Sequence, residues 1–326
     1  MRAYFYNKAG AASAVLNYGD FPTPNPEPGE VRVKLAVSGV NPTDCKRRQL
    51  GRELGKFECI IPNNDGAGVI EAVGDKAGST RVGQRVWLFG AQANRPFGTA
   101  AEFCVVPDAY AIPLPDEVSF AEGACLGVPA VTAHRGLFGS GKIKGLTVLI
   151  SGGTGRVGRY TLQMAKKAGA LVIGTAGSVE KCLEMQNLGA DYVFNYKADD
   201  IEAAVSEITN GRGVDRMIEV EFGANIKLAP KLIKSNGCLA AYGSDAIPIP
   251  EMPFYDFMFK NITIQAFSIF GMPEKAKFAA FKYINQMLET GSLDHRIDNH
   301  YSFDEMVIAH ENIERNNLSG SCLVSI

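Results

Sequence analysis

Residues 147–158 read TVLISGGTGRVG, and the meaning of this stretch decides how the rest of the chain is read. The apolar run Val148, Leu149, Ile150 has the composition of a fully buried parallel strand. It breaks into a turn holding Gly152, Gly153, Gly155 and Gly158, after which residues 156–168 continue at helical spacing. Gly153, Gly155 and Gly158 satisfy G-x-G-x-x-G, a pattern that allows a tight turn, close backbone approach to a pyrophosphate and close packing of helix on strand. The helix start adds N–H groups and a positive dipole end. Gly152, Gly153, Thr154, Gly155, Arg156, Val157 and Gly158 are therefore the expected cradle of a dinucleotide. Glycine-rich turns are common, so the bland alternative is a tight turn and nothing more; the context of the motif speaks for the cradle.

That context is an ordinary globular chain of 326 residues, 46% hydrophobic and 21% charged, long enough for about two domains. A net charge of -2 gives no basic stripe for nucleic acid or a membrane surface. No apolar run approaches the length of a bilayer span, and the N-terminal MRAYFYNKAG lacks the apolar core of a signal peptide, so a cytoplasmic protein is expected. The seven cysteines are scattered and never in C-x-x-C spacing, which reads as reduced, mostly buried thiols. None of the four histidines stands near a cysteine in a metal-ligand spacing.

Before the glycine turn, residues 1 to about 120 are rich in Gly, Pro and β-branched side chains. Short alternating runs occur at 31–37 (VRVKLAV), 68–73 and 85–89, which predict an all-β unit, a barrel. Pro22, Pro24, Pro26 and Pro28 make residues 18–29 an extended connection. A helix is expected over 121–139. From residue 147 strands and helices alternate: strands at 171–175, 192–195, 214–220, 238–242 and 262–267, helices at 179–188, 201–209 and 226–233. This is the pattern of a doubly wound parallel sheet, with residues 262–267 as its edge strand. Two helices, 275–288 and 303–314, and a terminal strand, 322–326, are too little for a domain. They are expected to return and complete the first β unit, which makes the nucleotide domain an insertion.

Dinucleotide folds that take NAD carry an Asp or Glu about twenty residues after the glycine turn, to hydrogen-bond the ribose 2′-OH. Here residues 174–178 read GTAGS, without an acid. Ser178 and Lys181 follow Gly177, and Tyr196 ends the next strand. Hydroxyl donors and a cation suit a dianionic 2′-phosphate, so NADPH is the expected cofactor. Ser178 as a helix cap and Lys181 as a solvated side chain are the bland alternative. Gly243, just after the strand at 238–242, completes the expected cofactor set.

Together these residues resemble the zinc-independent medium-chain dehydrogenases/reductases, specifically the NADPH:quinone oxidoreductases that include zeta-crystallin. The resemblance runs through residues 39–44 (GVNPTD), 61–68 (IPNNDGAG), 98–102 (GTAAE), the glycine turn, 174–177, Asn195-Tyr196 and 309–312 (AHEN), nearly the whole chain. It implies a GroES-like β-barrel catalytic domain from residues 1–122 and 268–326 and an inserted Rossmann domain, residues 123–267. It also implies homodimers or tetramers, and hydride transfer from NADPH to a quinone in a cleft between the domains. Zinc-dependent relatives place a cysteine at Asn41 and Gly-His-Glu at Asn63-Asn64-Asp65. Amides bind zinc poorly, so no metal and no alcohol dehydrogenase are expected. Arg156 stands where a second glycine is usual, and Lys46 where some bacterial relatives carry a tyrosine assigned to the quinone pocket.

Asn41 is the candidate for orienting substrate or nicotinamide ribose, with a turn residue before Pro42 as its bland reading. Thr132 matches a family position near the nicotinamide, with helix core as the rival. Lys46, Arg47 and Arg48 form a basic run expected as solvated surface, of which Lys46 is the candidate to reach the substrate. Cys45 beside Lys46 suggests a nucleophile but has no histidine base in its motif. His134 is expected at a helix surface or between domains. The aromatic run 254–259 is expected to pack or to form a subunit interface. Reduction of activated C=C bonds in enals, enones or enoyl thioesters is the rival activity, and a non-enzymatic NADPH sensor or structural protein the rival class.

Overall fold

The computed structural model describes residues 1–74, 79–315 and 319–326. The chain divides into two compact units, Met1–Pro129 with Phe281–Ile326, and Ala130–Ala280.

In the first unit the alternation of residues 31–37 folds as a strand: in Glu30–Val40, Val31, Val33 and Leu35 are buried while Lys34 is exposed. This strand is central to a seven-stranded mixed sheet. The order is Ile297–Tyr301, Ser321–Ser325, Glu30–Val40, Asp65–Val73, Arg85–Leu88, Ala111–Pro113, with Phe103–Pro107 also paired to Glu30–Val40. The last strand runs antiparallel to the early one, Cys322 opposite Val40 and Ser325 opposite Val37. The tail therefore completes the β unit that begins the chain. One core gathers Val31, Val33, Leu35, Ile70, Val86 and Val106. A second joins Tyr6, Val40, Cys45 and Ile60 to Met306, Ala309 and Cys322 from the far end.

The basic run at 46–48 is not a solvated surface. On the helix Pro42–Gln49, Cys45 and Arg48 lie three residues apart on one inward face, and Lys46 is exposed. Arg48 has no exposure at all; its guanidinium donates to the Gly10 carbonyl and pairs with Glu314. Arg47 donates to Gln92 at 2.9 Å and pairs with Glu53.

The second unit holds a six-stranded, wholly parallel sheet. Its order is Tyr192–Asn195, Leu171–Ala176, Thr147–Ser151, Val214–Glu219, Ile233–Ala241, Thr263–Ala266. Thr263–Ala266 is the edge strand, as expected. The strand order reverses between Thr147–Ser151 and Val214–Glu219, the place where open α/β sheets form a crevice at their carboxyl ends.

Two expected helices are cut by prolines. Residues 121–139 form Phe120–Gly123 and Gly127–Phe138, because Pro129 has no N–H and must sit in a first turn. Residues 226–233 are not one helix: Phe222–Asn225 and Ala229–Leu232 flank a break, Pro230 starts the second, and Ile233 already opens a strand. The chain passes between units within Gly127–Phe138 and within Glu274–Glu289, later along the chain than 122/123 and 267/268. Arg216, 4% exposed, ties down the end of the first of these helices, donating to Leu137, to Ser140 at 2.8 Å and to Gly141 at 3.2 Å. Among the described residues no helix is long and apolar enough to cross a membrane.

Removing one partner of a buried ion pair strands the other, so Arg48→Ala should lower unfolding stability by about 3 kcal/mol. Lys46→Ala, on the same helix, should change it by less than about 0.5 kcal/mol. Urea unfolding of both variants checks the contrast.

Candidate cofactor and substrate site

The glycine turn is built by close approach. Gly152 has φ +63, a left-handed value that side chains disfavour. A Cβ on Gly158 would lie 2.3 Å from the Gly152 carbonyl oxygen, and one on Gly153 2.1 Å from the Met185 methyl. Met185, buried on the helix Val179–Asn187, thus wedges under the turn. Gly155 stands at the N-cap of the helix Arg156–Lys167, which opens with Arg156 and Val157. Thr154 is buried between them. The glycine spacing marks this turn in the sequence; Met185 beneath it carries no motif.

At the end of the neighbouring strand, Gly177, Ser178, Lys181 and Tyr196 come together. A Cβ on Gly177 would meet the Tyr196 hydroxyl at 2.6 Å, and the tyrosine ring is 56% exposed. Ser178 caps the helix, its hydroxyl accepting the Lys181 N–H at 3.4 Å. Lys181 is exposed. One acid was missed: a hydrogen bond from Ser178 holds the exposed Glu180 carboxyl below its usual range.

At the point where strand order reverses, Ser151 donates to Glu219 at 2.7 Å, and the Glu221 N–H reaches the same carboxylate oxygen at 2.6 Å. Glu219 is 1% exposed, and burial raises its pKa. The next residue, Val220, donates its N–H to Ser151 at 3.2 Å. A Cβ on Gly152 would lie 3.2 Å from the Val220 side chain, and one on Gly243 2.3 Å from the Val220 carbonyl oxygen. Neither Glu219 nor Val220 carries a sequence motif.

In the first unit Asn41 is both cap and ligand of a buried acid pair. It is 4% exposed, and its N–H donates to Asp44 at 2.8 Å in a capping box that starts Pro42–Gln49. Its Nδ2 donates to Asp65 at 2.8 Å. Asn64 donates to the other oxygen of Asp44 at 2.6 Å. Ser38, Asn63 and Thr99 continue the network, Thr99 donating to the Asp65 carbonyl at 2.6 Å. Burial pushes Asp44 up to about 6. Burial and the Asp44 charge hold Asp65 well above the carboxylate range. The bland reading of Asn41 as a turn residue is thus part of the finding: it caps a helix and is oriented by two acids.

Lys46 lies exposed one turn into that helix. Thr132, 6% exposed, sits on Gly127–Phe138 in the second unit. His134, on the same helix, rests against Phe138 with ring centroids 4.8 Å apart, and burial lowers it to about 4. Cys45 does have a histidine neighbour, from far along the chain: His310 Nδ1 lies 3.5 Å from its Sγ. Burial drives the thiol up to about 12 and the imidazole down to about 3, so both are neutral and inert at ordinary pH. Among the described residues no three His, Cys, Asp or Glu side chains converge as a metal-holding group.

A family model described as alcohol dehydrogenase GroES-like domain matches residues 27–116, and one described as zinc-binding dehydrogenase matches residues 157–286. Quinone oxidoreductase of Mus musculus is 34% identical over 320 residues, covering 96% of this chain and 94% of its own. The chain belongs to the medium-chain dehydrogenase/reductase family. Another member, 2-methylene-furan-3-one reductase of Solanum lycopersicum, is 26% identical over 99% of this chain and 79% of its own. A solved mycobacterial protein complexed with NADPH superposes with TM-score 0.87 at 26% identity, covering 100% of both chains. The GroES-like and Rossmann-like architecture expected of a medium-chain dehydrogenase/reductase is thus present over the full length.

The acid pair gives this family member a pH signature. Asp44 has a folded pKa of about 6, above its ordinary value of 3.8. Between roughly pH 4 and 6 the folded chain keeps a proton that the unfolded chain releases, so unfolding stability falls as pH rises through that window. The loss is on the order of 3 kcal/mol. In Asp44→Asn the slope should lessen by the Asp44 share and keep that of Asp65, which burial also raises; urea unfolding from pH 4 to 7 measures it.

Proposed function

We propose that the chain is an NADPH-dependent quinone oxidoreductase that works without zinc. The observation that carries this reading is a glycine cradle joined to a strand end that has hydroxyls and a lysine where NAD-binding folds place an acid. The cradle fits a dinucleotide: its glycines let backbone close on backbone where a Cβ at Gly153 or Gly158 would collide, and the helix Arg156–Lys167 opens there with N–H groups. Residues 152–158 would hold the pyrophosphate. Ser178, Lys181 and Tyr196 would hold the 2′-phosphate beside Gly177, and Gly243 with Val220 would border the cradle. A 2′-phosphate would take the Ser178 hydroxyl that the exposed Glu180 carboxyl holds.

When bound, the nicotinamide supplies the hydride. The protein orients and excludes water. A quinone gaining a hydride develops negative charge on oxygen, which favours a neutral donor or a cation. Asn41 offers the second N–H of its carboxamide, the first being given to Asp65; Lys46 supplies the cation, and Thr132 lines the nicotinamide side. The final proton comes from water. Working without zinc rests on donor chemistry, since the amides of Asn41 and Asn64 stand where zinc-dependent relatives carry sulfur and imidazole, and both are committed to aspartates.

A second copy of the chain is the partner we assign to the edge strand Thr263–Ala266. Beside it, residues 247–259 expose Ile249 at 92%, Tyr255 at 65% and Phe259 at 76%, an apolar surface unusual for a monomer. Sedimentation should give a dimer, and Phe259→Glu a monomer. All seven cysteines are thiols rather than disulfides, and the cytoplasm is the location we propose.

Initial rates of NADPH oxidation with panels of quinones and of enones test the activity. Quinones should turn over; an exclusive response to enones, as the tomato relative's name describes for its own substrate, would replace quinones with activated C=C bonds, and NADPH binding with no turnover would leave a sensor. Lys181→Ala and Tyr196→Phe should each weaken NADPH about tenfold and leave NADH within about twofold, because a charged hydrogen bond is worth about 1.5 kcal/mol or more.

A further inference from the structure

Asp65 opens the strand Asp65–Val73 and is 1% exposed. Its carboxylate accepts from two directions. Asn41 Nδ2 reaches Oδ2 at 2.8 Å, and the Val128 N–H reaches Oδ1 at 2.8 Å and Oδ2 at 2.9 Å. Val128 lies in the first turn of Gly127–Phe138, the helix that carries Thr132. Two glycines make the room: a Cβ on Gly127 would lie 2.2 Å from Asp65 Oδ1, and one on Gly39 3.1 Å from the Asp65 Cβ. The gap bounded by Asn41, Asp65, Ala124, Cys125 and Pro129 is too small for a water molecule, so no substrate atom reaches this carboxylate.

We propose that Asp65 is a positioning residue, one buried carboxylate that sets the orientation of the Asn41 carboxamide and anchors the helix that carries Thr132. A carboxamide can sit in either of two orientations that exchange its oxygen and nitrogen, and only its partners choose between them. A carboxyl oxygen accepts, so it draws Nδ2 inward and turns the amide oxygen toward the first turn of Pro42–Gln49, where the Asp44 N–H bonds the Asn41 backbone carbonyl at 3.0 Å. At Val128 the same oxygens accept a first-turn N–H of a helix, at 2.8 and 2.9 Å. That Asn41 and Thr132 face acceptor and nicotinamide rests on the quinone-reductase reading; the anchoring itself does not.

The decisive variant is Asp65→Asn. Its one remaining oxygen goes to Val128, its NH2 then opposes Asn41, and the Asn41 amide must turn over. Quinone kcat should fall about tenfold with the NADPH dissociation constant within twofold. In an Asn41→Ala background the same substitution should change kcat by less than twofold, because the residue it acts through is gone. An equal tenfold loss in both backgrounds, or no loss in the parent, overturns the proposal. Gly127→Ala presses on the carboxylate from the other side and should show the same dependence on Asn41, which covers the case in which Asp65→Asn does not fold. Hydrogen exchange needs no turnover: protection across residues 124–131 should fall at least tenfold in either variant while residues 147–158 stay protected, and unchanged protection refutes the anchoring. If the parent reduces no quinone yet this exchange pattern appears, the activity reading fails and the anchoring stands.

Discussion

The second unit depends on backbone meeting backbone at the glycine turn. The missing Cβ of Gly158 would lie 2.3 Å from the Gly152 oxygen, so the helix Arg156–Lys167 starts almost in contact with the strand Thr147–Ser151 that precedes it. Met185 closes the underside, where it also excludes a side chain at Gly174. A turn this tight aims the helix N–H groups at one small volume. It also explains why the neighbours are small: Gly177 yields to Tyr196, and Gly152 and Gly243 yield to Val220. The chemistry of the cradle is backbone chemistry, and side chains matter there mainly by their absence.

The first unit uses the opposite device, buried charge. Arg48, Asp44 and Asp65 are each 2% exposed or less, and each bears the desolvation cost of an ion out of water. What they gain is direction. Arg48 ties the helix Pro42–Gln49 to Glu314, near the end of the chain. The helix Gly127–Phe138 is held at its start by Asp65 and at its end by Arg216, a carboxylate on the N–H side and a guanidinium on the carbonyl side, as the helix dipole prefers. That helix is where the chain leaves one unit for the other.

Local pattern carried the readable part of this architecture. The alternation VRVKLAV and the glycine turn between strand and helix are properties of neighbouring residues, and both appear in the fold where expected. What stayed hidden is pairing at a distance. Three adjacent cations read as solvated surface until Glu314 is known to lie against Arg48. Cys45 lacked a histidine in its own motif, yet His310 stands beside it. Val128 offers no signal of its bond to Asp65, since the donor is a backbone N–H. The single helix expected over 121–139 breaks at 124–126, ahead of Pro129, a local cue whose weight depended on where the next helix begins.

The pairing of Ser321–Ser325 with Glu30–Val40 orders events in time. A chain made from its N-terminus exposes Glu30–Val40 long before its partner strand exists, whereas the parallel sheet of Ala130–Ala280 is contiguous and has every strand once residue 266 has emerged. The inserted unit is thus the first that can finish folding during synthesis, and the unit that begins the chain is the last. Until the ribosome releases the tail, the flank of Glu30–Val40 that Cys322 will cover stays open, a nascent-chain exposure of the kind chaperones shield.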